Sequence, residues 1–234
     1  LRDVELAGTV QEALTPIIPE GLGFAAGILP FKQLSGDFYD YLEVGSKVYV
    51  IEGDVSGKGV AASLTMAQAQ VLFRTFARAN RTCQEIAMLM NNELHRDLGV
   101  SRFVTAFIAC IDHESRVVTC VNAGHGEVLK LDASGESEHI QSSSPPLGIV
   151  RAIDFQPAEE RYPFDDWRLW IVTDGVSEAL LHDQEIGMSG ILAIASRFSD
   201  DPIELAVSKT LDLVRSGKLQ TSDDSTVVVI GGLA

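Results

Sequence analysis

The chain has 234 residues, with 18 Lys and Arg set against 33 Asp and Glu, for a formal net charge of −15. Its 46% apolar and 22% charged residues are those of a globular domain and exclude intrinsic disorder. The acidic balance and the absence of any basic cluster count against nucleic acid and anionic membrane, two polyanions that reward Lys and Arg. No apolar run reaches the ~18–20 residues that span a bilayer and no signal peptide is evident, so no membrane insertion and a cytoplasmic location are expected. Cys83, Cys110 and Cys120 are odd in number, widely spaced and without a CxxC pair, which predicts buried thiols rather than disulfides or zinc ligands. The chain starts at Leu1 rather than Met, as expected of a fragment of a longer protein.

Residues 3–15 read as a short amphipathic helix with Val4, Leu6, Val10 and Leu14 apolar, ended by Pro16 and Pro19. It suits a linker from an upstream domain or a plain packing helix, and the expected division is 1–19 as linker and 20–234 as the domain proper. Strand-like runs follow at 22–29, 47–52, 103–111, 116–122, 126–131 and 168–173, with a short final one at 226–230. Glu43–Ser46 and Asp112–Ser115 look like hairpin turns. Helical stretches are expected at 59–79 and 83–97, the second capped by Thr82, and again at 189–198 and 202–216, with Pro202 at the first helical position. Residues 134–146 read as an exposed loop. The order of strands, helix pair, strands, helix pair and final strand predicts an α+β fold with mostly antiparallel sheets.

The informative acids lie where strand-like runs meet glycine-containing loops. Asp37 is in SGDFYD, Asp54 closes a run in GDVSGKG, Asp174 closes another in TDGVSEA, and Asp223 and Asp224 open the final strand in SDDST. Asp is a poor strand former, so an Asp at a strand end is not holding the strand face. Neighbouring glycines let backbone carbonyls come close to a bound ion. If the strands lie side by side, these carboxylates meet, repel one another and are relieved by a hard divalent cation. With no His or Cys cluster beside them, magnesium or manganese is favoured over zinc or copper. GDVSGKG is not a phosphate-binding P-loop, because Lys58 is followed by Gly59 and Val60 rather than Ser or Thr. Neither a GxGxxG after a strand nor a GxSxG elbow occurs.

In this order, SGDFYD, GDVSGKG, NAGHG, PPLGI, TDGVSEA and SDDST resemble the motifs of the bacterial metal-dependent serine/threonine phosphatases. These are the PPM-type, protein phosphatase 2C-like domains, in the branch named after the stage II sporulation protein E phosphatase. The resemblance runs from about Leu14 to Ile230. It implies a four-layer αββα sandwich, two antiparallel sheets flanked by helix pairs. It also implies two Mn²⁺ or Mg²⁺ ions, with Asp54 bridging both, the Val55 carbonyl on one, Asp174 and Asp223 on the other, and Asp37 beside the first. Asp224 is the less favoured ligand of its pair.

The implied reaction is hydrolysis of phosphoserine or phosphothreonine on a protein by a metal-activated water. The implied substrate is a STAS-type anti-sigma-factor antagonist, with a sensor or receiver domain upstream. Helices 59–79 and 83–97 resemble the family's switch helices, which can mediate a homodimer. Several positions depart from the branch. Ser35 replaces a glycine, NAGH continues as Gly126-Glu127-Val128, and Lys32 stands where eukaryotic relatives carry a phosphate-binding Arg. His125 is expected to be structural, and Lys58 is a candidate for holding phosphate. Two alternatives stay open: a pseudophosphatase acting as a binding module, and a two-metal phosphodiesterase or nuclease.

Overall fold

The computed structural model describes residues 2–98 and 102–231, which form two compact units. The first comprises the described parts of Leu1–Pro16, Gln33–His125 and Gln141–Pro163. The second comprises those of Ile17–Lys32, Gly126–Ile140 and Phe164–Ala234.

In the first unit, α1 (Arg2–Leu14) leads to β2 (Phe38–Val44) and β3 (Lys47–Val55). Helices α2 (Val60–Arg78) and α3 (Cys83–Leu98) follow, then β4 (Val104–Asp112), β5 (Val117–Ala123) and β8 (Glu160–Pro163). The strands form one antiparallel sheet in the order β2-β3-β4-β5-β8. Helix α2 buries Ala62, Met66, Ala69, Phe73 and Ala77, and α3 buries Ile86, Met90 and Leu94, the three-to-four spacing of one apolar face. These faces pack on Tyr49, Ile51, Val55, Ile108 and Val121 of the sheet in one continuous core. Thr82 caps α3 as expected, in a reciprocal box: Glu85 N donates to Thr82 Oγ1 (3.1 Å) and Thr82 N donates to Glu85 Oε2 (2.9 Å).

Helix α1 packs within this unit, and not by its expected stripe. Leu6 and Val10 are exposed, whereas Gly8 meets the Gln33 carbonyl, Gln11 reaches Ser35 and Leu14 joins the core. A Cβ at Gly8 would sit 2.7 Å from Gln33 O, so glycine permits the close approach.

The second unit holds β1 (Phe24–Leu29), β6 (Glu127–Asp132), β7 (Ser137–His139), β9 (Trp167–Val172) and β12 (Ser225–Gly231). They form an antiparallel sheet in the order β1-β12-β9-β6-β7. The single-turn α4 (Asp174–Ser177), a two-residue hairpin of β10 (Leu180–Leu181) and β11 (Gln184–Glu185), α5 (Gly187–Arg197) and α6 (Ile203–Arg215) complete it. Ile191 and Ala195 of α5 and Ala206, Val207 and Leu211 of α6 pack on Trp170, Val172, Val227 and Val229. The fold class is thus α+β, with two five-stranded antiparallel sheets and a long helix pair in each unit.

Three expectations need correction. Pro202 is the N-cap of α6 rather than its first helical residue, because its ψ of 143° is extended. The loop read over 134–146 contains the edge strand β7. Asp54 is the last residue but one of β3 rather than its last, and is paired with Thr105.

Candidate active site

The β2–β3 ladder begins with the pair Phe38↔Gly53. Asp37 stands just before it and Asp54 just beyond it, so the two acids face each other at the ladder's end. Asp37 is buried and Asp54 half-buried. Gly36 makes the local space. A Cβ there would lie 2.9 Å from both Asp54 Oδ1 and Val55 O. A carboxylate oxygen and a carbonyl oxygen therefore pack side by side against the Gly36 backbone, closer than any other residue would allow. The turn beneath them is pinned: Val55 N donates to Gly36 O (3.3 Å), Ser56 N to Phe103 O (3.0 Å) and Phe103 N to Ser56 Oγ (2.9 Å). Ser35 N donates to Gln11 Oε1 (3.0 Å), and Ser35 O accepts from Gln11 Nε2 (2.7 Å). Lys58 is exposed on the following turn.

Beside these acids lies a residue the sequence reading passed over. Glu52, two residues before Asp54 and on the same strand face, is 1% exposed, and neither carboxylate oxygen has a hydrogen-bond partner. Burial, and then the Asp37 charge, push its pKa well above the usual carboxylate range. Its Oε1 is 3.8 Å from Nε2 of His125, also buried and unpartnered at that nitrogen. His125 Nδ1 meets Thr105 Oγ1 at 3.1 Å, and His125 N donates to Asn122 Oδ1 (2.9 Å). The signal was present: a single acid near the end of the otherwise mostly apolar run KVYVIEG.

Burial lowers the His125 pKa from 6.5 to about 4, so the ring is neutral near pH 7. Between those values the unfolded chain binds the extra proton, and stability falls as pH falls. The full shift is worth about 3 kcal/mol. Glu52 has the opposite sign, and its contribution is lost as pH rises. His125→Gln is expected to lose the part of the stability that falls between pH 6.5 and 4, so its melting temperature should fall less over that range than the parent's; the same pH dependence in both would count against a neutral buried ring.

The NAGHG and PPLGI motifs interlock as packing elements. Gly124 adopts φ 66°, and a Cβ there would come within 2.5 Å of the Pro146 ring. Leu147 and Val104 exchange backbone hydrogen bonds (2.8 and 2.9 Å), and Asn91 Oδ1 accepts from Gly148 N (2.9 Å).

In the second unit, β9 ends at Val172, and the pairing Val227↔Val172 continues as Thr226 N donating to Thr173 Oγ1 (2.9 Å) and Thr173 N donating to Thr226 O (3.2 Å). Asp174 opens α4 directly after this junction, and Asp223–Asp224 form the turn entering β12. The two turns touch: a Cβ on Gly175 would lie 1.8 Å from Asp224 O and 3.1 Å from Asp223 O. Glu178 has a raised pKa, from desolvation and then the charges of Asp174, Glu185 and Asp223, so negative charge is concentrated here. Asp224 is occupied as a latch, with Oδ1 accepting from Phe31 N (2.8 Å) across 193 residues of sequence. Asp223 Oδ1 accepts from Asp224 N (3.0 Å).

Within each unit the expected acids are brought together, Asp37 with Asp54 and Val55, and Asp174 with Asp223. Among the described residues, no three His, Cys, Asp or Glu side chains form a metal-holding group by themselves. The donors at the Asp54 end, the Asp37 and Asp54 carboxylates and the Val55 carbonyl, are hard oxygens, which fits a magnesium- or manganese-type ion. No helix is long and apolar enough to cross a membrane, among the described residues.

Comparison with known proteins agrees. Residues 45–231 match the family described as Stage II sporulation protein E (SpoIIE). The "Phosphoserine phosphatase RsbP" of Bacillus subtilis (strain 168) is 29% identical over 184 residues, 76% of this chain, which spans 45% of that protein's length. The SiaA-PP2C domain of Pseudomonas aeruginosa superposes with a TM-score of 0.84 at 16% identity, covering 98% of this chain and 96% of that one. RsbX, solved in complex with magnesium, superposes with a TM-score of 0.67 at 19% identity, covering 88% of this chain and 92% of that one. The fold is that of the PP2C-type domains. Within that class the chain belongs to the SpoIIE family.

Proposed function

We propose that this chain is a divalent-metal-dependent protein phosphatase that hydrolyses phosphoserine or phosphothreonine on a partner protein. The observation that carries this reading is the placement of Asp37 and Asp54 beside one another at the end of the β2–β3 ladder, where Gly36 lets Asp54 Oδ1 and Val55 O pack close to the backbone. Asp37, Asp54, the Val55 carbonyl, Asp174 and Asp223 are the ligands in this reading. When bound there, two Mn²⁺ or Mg²⁺ ions would neutralise phosphate charge and make water more acidic.

The chain's own part is to hold the acids in place before substrate arrives. Thr105 brackets the Asp54 main chain, Gly36 leaves the space, and the Thr173–Thr226 junction sets Asp174 beside Asp223. Such preorganisation supplies much of the stabilisation of charge developing on a phosphoryl group. The absence of a reactive thiol among the site residues agrees with direct attack by water, the three cysteines being free and buried elsewhere.

The RsbP relative is named a phosphoserine phosphatase, which supports the substrate class, and RsbX was solved with magnesium, which supports the ion class. By the same resemblance, the substrate is a phosphorylated STAS-type anti-sigma-factor antagonist in the cytoplasm. An upstream sensor or receiver domain and dimerisation through α2 and α3 would control it. The test is release of phosphate from a phosphoserine protein with and without Mn²⁺. Metal-dependent turnover that a chelator stops is expected. Stoichiometric binding without turnover would favour the pseudophosphatase reading instead.

A further inference from the structure

Glu52 and His125 are difficult to explain as packing. Both Glu52 oxygens and His125 Nε2 are buried without a hydrogen-bond partner, an arrangement that costs free energy and that a Leu or Met would avoid. Such costs collect where a site, rather than the core, sets the requirement. The contacts lead to one place. His125 Nδ1 meets Thr105 Oγ1, and Thr105 Oγ1 accepts from Asp54 N (3.3 Å) and donates to Asp54 O (3.4 Å).

Thr105 has one hydroxyl proton. It can serve Asp54 O only if His125 Nδ1 carries the ring proton and donates to the Thr105 oxygen. Nε2 must then be the acceptor nitrogen, and the group within ion-pair distance of it is the Glu52 carboxyl, at 3.8 Å.

We propose that Glu52 and His125 are a buried positioning pair that sets the orientation of the imidazole against Thr105 and, through the Thr105 hydroxyl, the Asp54 main chain. This rests on the reading of Asp54 as a metal ligand. The pair never touches substrate. It sets the geometry at which Asp54 and the adjoining Val55 carbonyl present their oxygens, as outer partners orient metal ligands elsewhere.

The test compares Glu52→Leu, Glu52→Gln and Thr105→Val by two readouts, the Tm of the metal-free protein and the Mn²⁺ affinity by calorimetry. Glu52→Leu is expected to keep or raise the metal-free Tm while weakening Mn²⁺ binding by about 10-fold or more, the scale of losing an outer partner. Thr105→Val is expected to weaken it similarly, and the double variant to be no worse than either single one. Glu52→Gln, which keeps a polar side chain of the same size beside Nε2, is expected to bind within about 3-fold of the parent. A lowered Tm for Glu52→Leu with unchanged Mn²⁺ affinity would make the pair merely structural, and Glu52→Gln behaving like Glu52→Leu would show that the polar group beside Nε2 plays no part. If the parent chain binds no Mn²⁺, the metal reading itself fails, and this inference with it.

Discussion

Gly175→Ala is expected to lower stability by about 3 kcal/mol or more, beyond the range of ordinary overpacking. The added Cβ would fall 1.8 Å from Asp224 O and 2.7 Å from its carbonyl carbon. Those are main-chain atoms, so no rotamer change relieves the clash. The turn has little freedom to retreat, because β12, which it enters, is buried along its whole length and paired on both sides by β1 and β9. Ser225 Oγ also donates to Gly175 O (3.2 Å), and that bond goes if α4 moves. For a chain of this size the corresponding fall in melting temperature is about 6–12 °C. Phosphatase activity should fall with it, since the clash separates Asp174 from Asp223. A Gly175→Ala protein with unchanged melting temperature would show that the two turns do not meet as described.

The second large effect is expected at Arg74. Asp40 is fully buried in β2 and accepts from Arg74 Nε (2.6 Å), Arg74 Nη2 (2.9 Å) and Tyr41 N (2.8 Å). Removing the guanidinium leaves a buried carboxylate without its counter-ion, which costs far more than a surface pair is worth. Arg74 is itself 38% exposed, so solvent screens part of the interaction and about 2–3 kcal/mol is expected for Arg74→Ala. Even with the pair intact, burial holds the Asp40 pKa above its usual value. The deficit should therefore narrow towards acid pH, where the folded state keeps the proton that the unfolded chain gives up more readily. Replacing both partners by apolar residues should recover most of the loss. Equal melting temperatures for Arg74→Ala and the parent at neutral pH would contradict the account.

Asp40 also explains why part of the fold was hard to see in the sequence. β2 reads FYDYLEV, in which Asp40 and Glu43 break any strand pattern. The segment is a strand because it pairs with β3 over seven residues and because Arg74, 34 positions away, takes the charge. Local propensity holds neither fact. The four residues of α4 are too few for a helical period, and β7 and β8 depend on their ladders. By contrast, β3 and β4 are runs of buried apolar residues and α3 begins at a T-x-x-E box, so all three were legible.

The candidate site divides in the same way. Asp37, Asp54 and Asp174 stood out because Asp next to Gly at the edge of an apolar run has no strand-forming reason to be there, and Asp223 because it opens the last one. Asp224 carried the same signal, and its latch to Phe31 becomes visible only in three dimensions. Glu52 sat inside an apolar run, and a sequence does not show that its oxygens lack partners. Leu6 and Val10 misled for the converse reason. Hydrophobicity suggested the inward face of α1, whereas a close backbone approach at Gly8 and the two hydrogen bonds of Gln11 decided it.

The central claim is that Asp54 and Asp174 are each required for a metal-dependent phosphatase reaction. The most direct measurement is Mn²⁺-dependent phosphate release from a phosphoserine protein by Asp54→Asn and Asp174→Asn, one substitution in each unit, with folding checked by melting temperature. Both are expected to lose at least about 100-fold in rate while remaining folded, the scale of losing one preorganised contact to a developing charge. Parent-like turnover by either variant would contradict the claim.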